Sequence, residues 1–182
     1  MARIPYVEIE TAPPAAKDVL EKLPIKLNIF KMMAHAETNF RPLLRLGTSI
    51  LTEQKLSAAL REMAILHTAR LCGAEYEWTQ HAAIALAVGV TEAQVAALDK
   101  GQLDAPCFDP CQRAVLTAAT DLVRGDPMPD AHFTELQEHL STREIVELVL
   151  ATGFYVTLAR LMVLADIDLD PPVGADILRT MR

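Results

Sequence analysis

The sequence predicts an all-α fold, and three observations carry that expectation. Hydrophobic residues make up 51% of the 182 but aromatics only 5%, so the core must be built from Ala, Leu, Val, Ile and Met. Glycine is scarce, at 7 residues, and runs of β-branched or aromatic residues that favour strands are few. Helix-start signals recur between apolar segments. Thr91-Glu92-Ala93-Gln94 and Ser141-Thr142-Arg143-Glu144 have capping-box spacing, and Asp109-Pro110 sets an N-cap before a proline at the first helical position.

Each element follows from such signals. Residues 1–13 form a loosely held N-terminal tail that ends at Pro13-Pro14. A short helix is expected from about Ala15 to Leu23, stopped by Pro24, then helices from about Asn28 to Ala36 and Phe40 to Leu51. Ser57 is a suitable N-cap for a helix through Cys72. Gly73 ends or bends it into the next, about Ala74 to Val88, which Gly89 closes. The Thr91 box opens a short helix to Asp99, residues 100–108 form a loop, and Asp109 starts a helix to Arg124. After a Gly-Asp-Pro-Met-Pro turn, Asp130 begins a helix to Leu140, and the Ser141 box starts a long apolar helix to about Ala165. Residues 166–182 are expected to be a loosely held tail.

Length fits a single domain over residues 1–182 with a substantial core. A net charge of −7 without a basic block argues against nucleic acid as a partner. The N-terminal stretch lacks the apolar segment of a signal peptide, and the apolar runs are interrupted by Glu, Arg or Gly, so neither a leader nor a membrane span is expected. Three cysteines without a framework pattern suit a reducing cytoplasm.

The chemistry-bearing residues lie between Arg61 and His81. On a helix Glu77 and His81 are one turn apart and point the same way, along a face that continues through Ile84, Ala85 and Val88. Glu62 shares its face with Ile65, Leu66 and Ala69. A carboxylate on a core-facing stripe is unfavourable unless paired or neutralised. Two such carboxylates and an imidazole point to acid/base chemistry, with His81 as the proton-transfer group and Glu77 or Glu62 as its orienting partner. Tyr76 and Trp78 are candidate walls of a substrate pocket, and His35 a weaker candidate to face it. His67 lies on another face from Glu62 and is expected at the surface or an interface. Arg41, Arg45, Arg70 and Arg160 are the cations considered for a substrate carboxylate. Two carboxylates and one imidazole can make a metal triad, but no HExxH or paired ExxH motif accompanies them. The CxxxC of Cys107 and Cys111 lacks further zinc ligands. No metal or cofactor is expected.

Arg61-Glu62 with Leu66 and Ala69 repeats at constant offset as Arg143-Glu144 with Leu148 and Ala151, an echo that admits an internal duplication. The capping box accounts for Glu144. Glu62 has no such explanation, because Leu60 stands three residues after Ser57.

The stretch from Ser57 to Leu98 resembles the carboxymuconolactone decarboxylase family, which shares its all-α fold with the alkyl-hydroperoxidase-D-like proteins. Arg61-Glu62-Met63-Ala64-Ile65-Leu66, Ala69-Arg70, Tyr76-Glu77-Trp78-Thr79-Gln80-His81, Ala85 and Gly89-Val90-Thr91-Glu92 carry the likeness. Weaker similarity flanks it at Asn28-Ile29-Phe30, Ala34-His35 and the helix from Ala114 to Arg124. In redox members of that fold a Glu is followed by Cys-x-x-Cys and then a His four residues on. Carried over, the Glu is Glu62 and the His is His81, while the two cysteine positions hold Ala74 and Glu77. A dithiol mechanism needs two sulfurs within bonding reach, so the resemblance points to a non-redox branch. It implies a cofactor-free lyase or isomerase acting on a small oxygenated carboxylic or carbonyl compound, and assembly into homotrimers or hexamers. An oligomeric binding or scaffold protein of the same fold is the alternative, and a peroxidase-type antioxidant activity a lesser one.

Overall fold

In the computed structural model, which describes residues 1–174 and Asp176, the described residues form nine α-helices and no strand. They are α1 (Pro14–Lys22), α2 (Asn28–Met33), α3 (Glu37–Thr52), α4 (Ala58–Cys72), α5 (Glu75–Ala87), α6 (Glu92–Asp99), α7 (Pro110–Arg124), α8 (Asp130–His139) and α9 (Thr142–Ala165). The expected punctuation holds at most boundaries. Ser57 accepts from the Leu60 N–H, and full capping boxes open α6, α7 and α9. Gly73 and Gly125 take left-handed φ angles of 67° and 77° as they end α4 and α7. The second and third helices depart from expectation. α2 stops at Met33, and α3 begins at Glu37, which leaves Pro42 inside its first turns. As the sixth residue of α3, Pro42 has no N–H for the Thr38 carbonyl four residues back, so the helix forgoes one bond there.

α4 is the axis of the bundle. It packs against α9, α5 and α7, and every residue from Arg61 to Ala69 is buried. A helix enclosed on all sides has no solvent face on which to place polar groups. Each polar side chain on it must therefore find a partner inside. Thr68 donates to the Ala64 carbonyl at 2.8 Å. His67, expected at the surface or an interface, is only 4% exposed and bonds Thr120 of α7 through Nε2 at 2.7 Å. α7 covers the face of α4 that carries it.

Three apolar clusters surround this axis. One joins α1, α2, α3 and α9, one lies among α4, α5, α6 and Phe108, and one among α4, α7, α8 and α9. α9 is long and apolar enough to cross a membrane by length and composition; in this fold it is a core helix packed on α4 and α7. Arg61 and Arg143, the paired positions of the sequence echo, stand near the starts of α4 and α9, which pack on each other.

The tails differ from the expectation of loosely held ends. The N-terminal amine and the Ala2 N–H bond the Asp168 carboxylate, Tyr6 donates to it at 3.1 Å, and the Arg3 N–H donates to the Ala165 carbonyl. Asp170 accepts from the Asn28 N–H at 2.6 Å and the Tyr76 hydroxyl at 2.5 Å. Two aspartates of the acidic tail act as acceptors that fasten both ends onto α2 and α5. Residues 175 and 177–182 lie outside the described residues.

Burial pushes the His67 imidazole down to about 4. The unfolded chain takes up this proton below about pH 6.5 and the folded chain does not until about pH 4, so stability falls as pH drops through that window. Denaturant melts should show a loss of about 2 kcal/mol from this group between pH 7 and pH 5. In His67→Gln the pH dependence should be flatter by that amount; an unchanged slope would show that His67 does not carry it.

Candidate functional site

α4 and α5 are joined by Gly73 and Ala74 alone, and this tight turn folds α5 back against α4. The reversal sets Glu62 opposite His81. His81 Nδ1 lies 2.7 Å from Glu62 Oε2, and Arg61 Nε donates to Glu62 Oε1 at 3.3 Å. Relative exposure is 0% for Glu62, 3% for Arg61 and 8% for His81. The Glu62 carboxylate is an acceptor, so Nδ1 carries the proton in the neutral ring and Nε2 presents a lone pair. Tyr155 of α9 packs edge-on against the imidazole, with centroids 4.7 Å apart. Glu62 thus holds one ring nitrogen while Tyr155 fixes the ring plane.

Glu77 is one turn before His81 and fully buried. Neither of its carboxyl oxygens has a hydrogen-bond partner among the described residues. Burial first, and then the negative charge of Glu62, pushes its pKa well above the usual carboxylate range. One of the two buried carboxyls is paired with a cation; the other stays protonated because no second cation reaches it. Burial, reinforced by the charge of Glu62, likewise keeps the Tyr155 phenol protonated.

Glu77, His81 and Tyr155 border one cavity of about 70 Å³, closed by Phe30, Leu43, Leu44, Leu51, Phe154 and Leu158 among others. A single water needs about 10–15 Å³ by this measure, so the space suits a few waters or one small molecule. Gly47 of α3 lies on the wall, where a Cβ would stand 3.0 Å from Phe154 Cζ. The glycine lets α3 and the Phe154 ring approach closely enough to close the cavity.

The expected site residues separate into two groups. Glu62, Glu77 and His81 come together, and Glu62 rather than Glu77 orients the imidazole. Tyr76 lines the cavity, although its hydroxyl is committed to Asp170. Trp78 points the other way, into the α4–α5–α6 cluster, under the Arg70 guanidinium at 3.8 Å. It is two residues from Tyr76, and such neighbours do not share a helical face. His35 sits near the surface and bonds the Pro5 carbonyl at 2.8 Å. The sequence reading missed Arg61 and Tyr155 as site residues. Arg61 was legible as the cation nearest a buried glutamate, but Tyr155 arrives from α9 and carried no local signal. No group of three or more His, Cys, Asp or Glu side chains among the described residues is arranged to hold a metal ion. Burial raises the pKa of Cys72, the thiol nearest the site in sequence.

The family model of the carboxymuconolactone decarboxylase family matches residues 38–121, which include Arg61, Glu62, Glu77 and His81. The chain carries a domain of that family over those residues and has the alkyl-hydroperoxidase-D-like fold. A structure described as an alkylhydroperoxidase AhpD core, an uncharacterized peroxidase-related protein from Ralstonia eutropha JMP134, is 22% identical, with 93% of this chain and 92% of that one covered and a TM-score of 0.78. An uncharacterized peroxidase-related protein from Silicibacter sp. TM1040 is 19% identical, covering 100% and 96%, with a TM-score of 0.78. The debrominase Bmp8 is 17% identical, covering 97% and 96%, with a TM-score of 0.75. At these identities the likeness establishes the fold. No curated protein matches the chain.

The folded state holds the Glu77 proton at pH values where the unfolded chain, with a carboxyl near 4.5, has released it. Stability from this group is full below about pH 4.5 and is lost as pH rises through the raised folded value. Glu77→Gln removes that titration. Urea melts at pH 5 and pH 8 should show a smaller loss of stability at the higher pH in the variant than in the parent. An equal loss in both would mean that Glu77 is ionised in the fold.

Proposed function

We propose that the chain is a lyase or isomerase that moves protons next to a carbonyl with its own side chains. The buried 2.7 Å bond between His81 Nδ1 and Glu62 Oε2 carries this reading. It leaves Nε2 as a base whose orientation is fixed from behind. His81 takes a proton from the carbon beside a carbonyl, and the C–H electron pair becomes the π bond of an enolate. The charge then moves to oxygen, where the protonated Glu77 stands ready as a neutral hydrogen-bond donor, a role seen in carboxylic acids held protonated in apolar sites. Tyr155 offers a second protonated donor on the same wall. Arg61 donates to Glu62 Oε1 and so helps to hold the carboxylate that orients the imidazole. A small oxygenated carboxylic or carbonyl compound is the substrate class.

Assembly and setting belong to the same proposal. α9 exposes Val146, Val149, Leu150, Val163 and Leu164, which follow one helical stripe. We assign this stripe to self-association as a homotrimer or hexamer. The three free cysteines suit a cytoplasmic setting.

Incubation in D₂O with a panel of small carbonyl and carboxylic compounds, read by NMR, should show catalysed deuterium uptake at the carbon beside the carbonyl. His81→Gln should slow it by roughly 10² to 10⁴, the usual contribution of a general acid–base residue. Glu62→Gln should slow it less and shift the pH profile. Undiminished exchange in a folded His81→Gln protein would remove His81 from the chemistry. Light scattering at micromolar concentration should report a trimer or hexamer that Leu150→Glu combined with Leu164→Glu dissociates; a stable parent monomer would contradict the assembly.

A further inference from the structure

The cations near the site have no free face toward the cavity. Neither lysine nor arginine lines it among the described residues. Arg61 is buried behind the wall and engaged by Glu62. Arg41 pairs with Asp18, and Arg41 and Arg45 border a separate groove between α1 and α3. Arg70 pairs with Glu75 and Asp99 and covers Trp78. Arg160 is exposed on α9.

The polar groups on the wall are also largely committed. The Tyr76 hydroxyl is held by Asp170, and the Gln80 side chain bonds the Asp170 and Pro171 carbonyls and the Val173 N–H. Three groups bordering the cavity are committed to no other partner: the Glu77 carboxyl, with both oxygens covered and unpartnered, His81 Nε2 and Tyr155. The rest of the wall is apolar. An anion placed there would give up its hydration, meet no cation and face the negative charge of Glu62.

We propose that the cavity takes an uncharged, largely apolar small molecule with one carbonyl or phenolic oxygen, and that it excludes carboxylates. This rests on the acid/base reading of the same site and excludes decarboxylation, since such a molecule has no carboxylate to release; isomerisation is the step we assign. With a β,γ-unsaturated ketone the step balances without a co-reactant. The α-carbon proton passes to His81 Nε2, its electron pair forms the dienolate, and the carbonyl oxygen is held by the Glu77 O–H. The same proton then adds at the γ carbon as the carbonyl re-forms, which gives the conjugated ketone.

Ligand-observed NMR at pH 7 on the whole chain tests the ligand class, with cyclohex-2-en-1-one and phenol against cyclohex-1-ene-1-carboxylate and benzoate. The neutral probes should bind at least about tenfold more tightly than the carboxylates, a difference of about 1.4 kcal/mol. Gly47→Ala, whose Cβ would press on the Phe154 ring at the wall, and Leu43→Trp, at a half-buried wall position, should each weaken the neutral probes about tenfold. Carboxylates that bind as tightly as the neutral probes would overturn the proposal, as would neutral binding that neither wall variant changes. Carboxylate preference with deuterium exchange still dependent on His81 would refute the ligand class alone. Neutral preference with exchange undiminished in His81→Gln would refute the acid/base reading and leave the ligand class standing.

Discussion

Two carboxyl groups are buried in one apolar interior with an arginine bonded to only one of them, and the arrangement of the site follows from that constraint. A buried charge is sustained only when it is paired. Arg61 and His81 take the two oxygens of Glu62, which leaves Glu77 with no counter-ion and therefore protonated. The asymmetry turns two chemically similar residues into different tools. One carboxylate holds a nitrogen of the imidazole, and one carboxyl borders a cavity with both oxygens unpartnered. Each depends on the enclosure of α4 and of the α5 face packed on it: were those faces at the surface, both groups would be hydrated and their difference would vanish.

The scaffold supplies this enclosure with ordinary means. A glycine turn reverses α4 into α5, and α9 covers both. α2 and α3 close the remaining side, and the Asp170 carboxylate ties α2 to the cavity wall through the Asn28 N–H and the Tyr76 hydroxyl. Redox relatives of this fold, by resemblance, place two thiols where this chain has Ala74 and Glu77. The substitution at Glu77 replaces a thiol with a group that can hold or give a proton at the same position beside His81. Under the function proposed above, the same frame carries proton transfer in place of sulfur chemistry.

Most of the fold was legible because helix boundaries are local. Ser57, Thr91, Asp109 and Ser141 sit where caps are needed, and the glycines after α4 and α7 sit where a left-handed residue ends a helix. The break between α2 and α3 was less legible, expected near Ala36 and Phe40 but found at Met33 and Glu37, because Ala36 at the N-cap of α3 offers no side-chain cap. At the site, Glu77 and His81 were readable from one-turn spacing, and Glu62 from a charge on an apolar face without a cap to explain it. What a single helix cannot reveal is what crosses over to it. Tyr155 comes from α9, Thr120 meets His67 from α7, and the tail aspartates anchor residues about a hundred or more positions away. Trp78 and His35 show the converse: aromatic and imidazole side chains close to the motif in sequence or pattern, but directed to other parts of the bundle.

The central claim is that Glu62 and Glu77 differ in charge within one interior. Infrared difference spectroscopy of the native protein at pH 7 against Glu77→Gln reads this directly. The account predicts that the substitution removes the carbonyl stretch of a protonated carboxylic acid and leaves the carboxylate bands unchanged. Loss of carboxylate bands instead, with no protonated carbonyl stretch in the native spectrum, would mean that both glutamates are ionised and would contradict it.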